Sequence, residues 1–208
     1  MIPRKLDAFT LRLALPGDRE ACYAVCLGTG DSGRDATHLH ADPEALGNVY
    51  VGAYLAFEPE FALVLEDAAG VCGYALAALD TREFQRRYLE DWLPPLRARR
   101  PAPGGPAECW SRDEQLWHLY HHPELFVPEP YADHPSHLHL DLLPRAQGRG
   151  LGRAMMAELL ARLTQLGSSG VHLAMAADNQ RAAGFYAKLG FRELARRGDA
   201  IYLGRRLR

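Results

Sequence analysis

Six residues, Gln147-Gly148-Arg149-Gly150-Leu151-Gly152, constrain this chain more than any other stretch. They follow His137 to Leu143, which alternates in polarity as a strand does, with Leu138, Leu140 and Leu142 on one face and His137, His139 and Asp141 on the other. They lead into Gly150 to Leu166, where Leu151, Met155, Leu159, Leu160 and Leu163 form one helical stripe that stops at Gly167. Glycines between a strand and a helix permit a tight turn with backbone N–H groups pointing outward. The first turn of the helix adds unsatisfied donors and the positive end of its dipole. A phosphate is the natural ligand of such a place, and a purely structural turn is the other reading. The spacing is neither the Walker A pattern, which needs Gly-Lys-Ser/Thr, nor the dinucleotide fingerprint, which needs a third glycine three residues beyond the second.

The rest of the chain supplies the other elements of a mixed α/β architecture. Leu11 to Leu15 reads as a strand ending at Pro16-Gly17, with Asp18 as N-cap of a helix through Cys26. Asp42-Pro43 opens a second helix with Leu46, Val49, Tyr50, Ala53 and Tyr54 on one stripe. Phe61 to Leu65 and Val71 to Leu79 flank a turn and predict a hairpin. Thr81 to Arg100 is helical in composition with a break expected at Pro94-Pro95, and residues 101–107 are linker-like. Val171 to Ala176 is a short strand, Asp178-Asn179 caps a helix ending at Leu189-Gly190, and Phe191 to Leu203 makes a last pair of strands.

Composition limits the function classes. With 48% hydrophobic and 24% charged residues, the 208-residue chain is an ordinary globular protein, and the expected organisation is one domain over residues 1–208 with an insertion at about 82–135. No stretch approaches the roughly 20 apolar residues of a membrane-crossing helix, and no signal peptide is visible. A cytoplasmic protein without a membrane partner is expected. Cys22, Cys26, Cys72 and Cys109 form no C-x-x-C pair, which predicts free structural thiols. The net charge of −2 hides a split: residues 145–208 hold 12 basic and 4 acidic residues, so the remainder is strongly acidic. That fits an anion bound at the C-terminal part and a cation at the N-terminal part. The arginines are dispersed among apolar residues, so no nucleic-acid partner is expected.

Gln147, Gly150 and Gly152 match the Gln/Arg-x-x-Gly-x-Gly/Ala signature of the GNAT superfamily of N-acetyltransferases, and Asn179 to Phe191, with Ala182, Phe185-Tyr186 and Leu189-Gly190-Phe191, resembles the family's second block. The resemblance covers residues 9–205. Asp42-Pro43 with Tyr50 and Tyr54, Ala62 to Asp67, Cys72 to Leu76, Asp80-Thr81, Phe84 and Trp92-Leu93-Pro94 look like the acetyltransferase-like C-terminal domain of animal O-GlcNAcase and its bacterial stand-alone relatives. The animal domain is thought to have lost its phosphate loop, which this sequence keeps. The implied fold is a mixed, mostly antiparallel central sheet splayed between two parallel strands and flanked by helices, with a helical insertion before the fourth strand. A homodimer is a state common in such families.

The resemblance implies an N-acetyltransferase using acetyl-CoA as co-substrate. Backbone N–H groups of Gln147, Gly148, Arg149, Gly150, Leu151 and Gly152 would hold the CoA pyrophosphate, with Arg149 or Arg145 as charge partners. Pantetheine would lie in the gap between splayed strands, bonded to backbone near Leu140 and Leu142 and touched by Asn179. Tyr186 matches the tyrosine placed to protonate the leaving thiolate, and a core tyrosine is the alternative. An amine acceptor, small molecule or peptide, attacks only when neutral, so a base is needed. His137, His139 and Asp141 are the candidates, since three polar side chains on one strand face call for a cleft or for structural hydrogen bonds. His137 lies roughly where some family members place a catalytic Glu. Asp178 either faces the same cleft or caps the next helix. His118, His121 and His122 have helical spacing but lack an accompanying carboxylate or Cys, so no metal is expected. Trp92, Trp110, Trp117, Tyr120 and Tyr131 are read as the core of the insertion, which would lie over the acceptor side. The contrasting reading of the whole chain is a catalytically inactive acyl-CoA-binding or protein-interaction module.

Overall fold

A computed structural model describes residues 3–126 and 132–207. Its strands are β1 (Arg4–Leu6), β2 (Phe9–Leu13), β3 (Ala62–Asp67), β4 (Gly70–Ala78), β5 (Ser136–Leu142), β6 (Gly170–Ala176), β7 (Arg192–Arg197) and β8 (Ala200–Arg206). They form one sheet in the order β1-β2-β3-β4-β5-β6-β8-β7. Every neighbouring pair is antiparallel except β5 and β6, which run parallel and pair at Ser136 with Val171 and at His137 with His172. After those two rungs the strands part, opening the splay that the resemblance implied. The short β1 has no counterpart in the sequence reading, so the insertion expected before the fourth strand precedes β5.

The helices are α1 (Arg19–Leu27), α2 (Ala45–Tyr50), α3 (Gly52–Phe57), α4 (Thr81–Arg87), α5 (Leu93–Arg99), α6 (Arg112–His121), α7 (Leu151–Gln165) and α8 (Gln180–Lys188). Strand alternation sends Leu63, Leu65, Ala75 and Leu138 to the face covered by the stripe of α7, with Met155, Leu159 and Leu163 fully buried there. Val64, Tyr74 and Leu76 point the opposite way into a second core with Cys26, Ala53, Tyr54, Leu93 and Tyr120. Both faces of the central strands are therefore dry, which is why β3 and β4 read as nearly continuous apolar runs. Among the described residues no helix is long and apolar enough to cross a membrane.

Local departures from the sequence reading have packing causes. The expected second helix is two short ones broken at Val51, because α1 and its Tyr23 press directly onto their backbone: a Cβ at Gly47 would lie 2.3 Å from the Tyr23 ring and one at Gly52 would lie 2.2 Å from its hydroxyl. The break in Thr81 to Arg100 is a π-helical turn over Tyr88–Trp92, and Pro94 sits instead in the first turn of α5, where a missing N–H costs nothing. The Asp18 carboxylate does not cap α1. It accepts from the Leu15 N–H at 2.7 Å and from Arg12 at 2.6 and 2.9 Å.

Tyr120 is buried in the second core, and the Trp92 indole donates to the Asn48 carbonyl at 2.8 Å. Trp110 donates to the Gly104 carbonyl, and Trp117 packs against the second core with the Arg100 guanidinium over its ring. Tyr131 lies outside the described residues. His118 of α6 and His122 just after it stack ring on ring at 4.5 Å, and His121 turns to the Arg100 carbonyl. Cys22, Cys26 and Cys72 are buried free thiols and Cys109 is exposed.

Candidate active site

The gap between β5 and β6 opens onto a cleft of about 690 Å³ bounded by the end of β5, the glycine loop, the start of α7 and the cap of α8. Leu140, Asp141, Leu142, Gln147, Gly148, Gly150, Leu151, Gly152, Asn179 and Tyr186 all line it, so most of the residues singled out along the sequence are brought together. The glycines have two different reasons to be there. Gly148 and Gly150 have φ of +73° and +75° with open space where a Cβ would stand, so they serve backbone conformation. Gly152 has close neighbours, and a Cβ there would lie 3.1 Å from Leu142 and 3.4 Å from Phe185. Because α7 starts at Leu151, the N–H groups of Leu151, Gly152 and Arg153 lie in a first turn that supplies no carbonyl to them.

The cationic groups of the cleft differ from those expected. Arg145 is held by Asp67 at 2.9 Å and by the Val71 carbonyl at 3.1 Å, which fixes it to the β3–β4 turn. Arg149 turns away toward the Phe9 ring, 5.9 Å from its centroid, and is not among the lining residues. Arg153 and Arg181 face the cleft instead. The sequence did carry a signal for both, since each lies in the first turn of a helix that begins at the cleft. Gln147 also acts through its side chain: Nε2 donates to the Leu142 carbonyl at 2.6 Å and Oε1 accepts from Arg181, so it ties the end of β5 to α8. The α1–α2 loop closes this side through Thr29 and Gly33, which no local pattern marks. The Asn179 side chain caps α8 by accepting from the Ala182 N–H at 3.0 Å. Asp178 does not cap; it accepts from Ser32 Oγ of that loop at 3.2 Å.

Across β5 lies a second hollow of about 220 Å³, where His137 and His139 form part of the wall. Asp141, on the wall of the first cleft, approaches His139 on the wall of the second. Its Oδ2 accepts from the Tyr74 hydroxyl at 2.5 Å and sits 3.1 Å from His139 Nε2. His139 is packed between the rings of Tyr50 and Tyr74, at 6.0 and 5.5 Å. Burial, reinforced by the Asp141 charge, pushes the Tyr74 and Tyr186 hydroxyls well up, so both stay protonated at neutral pH. His137 is a different case from His139. It is 1% exposed, its Nδ1 lies 2.9 Å from Thr81 Oγ1, and Tyr54, Phe84 and Phe126 surround it. Burial and the nearby His172 hold its pKa well below the usual imidazole range, which makes it a neutral wall residue and a poor base.

Residues 36–191 match the model of the acetyltransferase (GNAT) family. The chain belongs to that family. Protein O-GlcNAcase of Rattus norvegicus is 30% identical over 204 residues, which are 96% of this chain and 22% of that protein. The Mus musculus protein matches to the same extent, so the chain spans about a fifth of the length of these relatives. The crystal structure of SsHAT superposes with a TM-score of 0.89 at 42% identity, covering 97% of this chain and all of that one. A putative acetyltransferase from Salmonella typhimurium, yncA, solved with its cofactor acetyl-CoA, shares the fold at a TM-score of 0.56 and 16% identity, over 97% of this chain and 95% of that one. The GNAT co-substrate fits what the residues offer: N–H groups without intrahelical partners at a helix start, two arginines, and a cleft that runs from them to the end of β5.

Proposed function

We propose that this GNAT chain, acting as one domain with residues 82–135 as an insertion, moves the acetyl group of acetyl-CoA to a primary amine by direct attack in a ternary complex. The observation that carries the reading is the Asp141–His139 pair, 3.1 Å apart on β5, with Asp141 on the wall of the donor cleft and His139 on the wall of the second hollow. The glycine loop with Arg153 and Arg181 holds the phosphates, and acetyl-CoA supplies the acyl group. His139, stacked between the Tyr50 and Tyr74 rings with Asp141 3.1 Å away, accepts a proton from the incoming ammonium so that a lone pair is free for attack. Backbone N–H groups of β5 at Leu140 and Leu142 polarise the thioester carbonyl. Tyr186, on the cleft wall, gives its proton to the sulfur as the carbon–sulfur bond breaks and regains one from the amide nitrogen.

Calorimetric titration with acetyl-CoA and with CoA tests the donor half. Binding that Gly150→Glu abolishes is expected, because a side chain at that left-handed position both strains the loop and places a carboxylate against the phosphates. Acetyl transfer to a panel of amines tests the second half. His139→Ala is expected to lower kcat by about a hundredfold, as loss of a general base does, with partial recovery on adding imidazole. Acetyl-CoA binding without transfer to any amine would instead indicate an inert acyl-CoA-binding module.

A further inference from the structure

The second hollow has a composition that the donor chemistry does not require. Its walls are aromatic: Tyr50, Tyr54, Phe84, Tyr88, Phe126 and Tyr202, with the two β5 imidazoles. Among the described lining residues there is neither Lys nor Arg, and the one carboxylate is Glu124 at the mouth. Tyr50 and Leu125 stand exposed at the same rim. The amide of Gln85 is already engaged, donating to the Phe126 carbonyl at 3.2 Å. The space is smaller than the roughly 300–1,000 Å³ that holds a cofactor-sized ligand. Ring faces carry negative quadrupole potential and attract cations within about 6 Å. A carboxylate at the mouth adds to that attraction, and the surrounding residues 1–144 are acidic as a whole, with 12 basic against 22 acidic residues.

We propose that this hollow selects the acceptor as an alkylammonium: a cationic head on an unbranched aliphatic stem, as presented by a lysine side chain or by a free diamine. The stem lies against the rings, and the charge is held by π faces and by Glu124 until His139, on the same wall, takes its proton. A hydroxyl-rich amino sugar is selected against, because its ring, unlike an unbranched stem, must shed the water on its hydroxyls to lie against the aromatic faces. The inference rests on the transfer reading for the fate of the amine, and its test can be separated from it.

The probe is n-butyltrimethylammonium, which carries the charge and stem but cannot be acetylated, with 1-pentanol as the neutral control. Titration into the full chain is expected to show binding of the ammonium and at least about tenfold weaker binding of the alcohol. Tyr50→Leu and Glu124→Gln should each weaken ammonium binding by about three- to tenfold, with an unchanged thermal unfolding curve showing that each variant keeps the fold. In acetyl transfer, pentylamine, cadaverine and an Nα-acetylated lysine peptide should each exceed glucosamine in kcat/KM, and their order tells a free amine from a peptide side chain. Equal binding of ammonium and alcohol, or ammonium binding unchanged in both variants, overturns the proposal. Ammonium binding that responds to both variants, in a protein that acetylates nothing, leaves the hollow's selectivity standing and removes the transfer reading. Brisk acetylation that is indifferent to both variants and to acceptor charge does the reverse.

Discussion

Tyr186 illustrates how one side chain is tuned by its surroundings. It lies on α8, 7% exposed, with the donor cleft on one side and the Asp141 charge near enough to raise its pKa further. Burial keeps this phenol protonated across the whole working pH range and also makes it a weaker acid, so its proton moves in concert with the departing sulfur. Tyr186→Phe removes one oxygen, keeps the ring packing against Phe185 and Phe191, and is expected to cut kcat by about a hundredfold while leaving the acetyl-CoA dissociation constant within about twofold. Single-turnover rates beside equilibrium titration separate the two, and unchanged turnover would return Tyr186 to the core. Tyr186 is singled out in the sequence because the segment from Asn179 to Phe191 resembles the second block of the family, a likeness carried by neighbouring residues. Arg181 and Gly33 show the opposite situation. They meet closely enough that a Cβ on Gly33 would lie 2.7 Å from the guanidinium, yet 148 residues separate them and no local periodicity encodes the meeting. The same holds for Asp141 and Tyr74, whose hydrogen bond exists only once β4 and β5 pair in register.

At the level of elements, the polarity patterns located α7, β5 and the β3–β4 hairpin to within a residue or two, since each has a long apolar face that dictates its period. Where the reading failed, a neighbour had overruled the local pattern. The stripe from Leu46 to Tyr54 is helical throughout, but the axis breaks at Val51 because α1 approaches to ring-contact distance over Gly47 and Gly52. Close approach of this kind has a measurable consequence. Gly47→Ala puts a methyl into the Tyr23 ring, which overpacking data place at about 1–3 kcal/mol of lost stability. Without any loss of helix propensity to blame, since alanine is the better helix former, Tm should still fall by several degrees. Thermal unfolding followed by circular dichroism checks this. A Tm that rises would mean that α1 can withdraw, and that the break at Val51 has another origin.

The whole molecule is two half-sheets joined at one narrow seam, the two parallel rungs of β5 and β6, and the seam is ringed by imidazoles. His134 is buried where Gly170 and Gly204 leave room for its ring, and its carbonyl is 2.8 Å from His172 Nδ1. His137 and His172 lie side by side at 5.8 Å between ring centroids. Burial is the leading reason that all three have depressed pKa values, with His172 brought down to about 4. A base whose folded pKa is below its unfolded value binds more protons when unfolded, so its contribution to stability is complete above about pH 6.5 and drains as pH falls toward the folded pKa. For His172 the window is therefore pH 6.5 to about 4, with a loss on the order of 3 kcal/mol at its lower end. The nearby Asp133 opposes that loss at His134 but is itself paired with Arg206, which adds to it. His172→Gln keeps a donor for the His134 carbonyl and cannot titrate. Between pH 7 and 4.5 the urea midpoint of the unaltered chain should fall more than that of His172→Gln, and parallel lines would show that acid acts elsewhere. The donor gap opens directly beyond these rungs, so acid that loosens the seam should weaken acetyl-CoA binding before the sheet as a whole unfolds, and in His172→Gln that early loss should shrink.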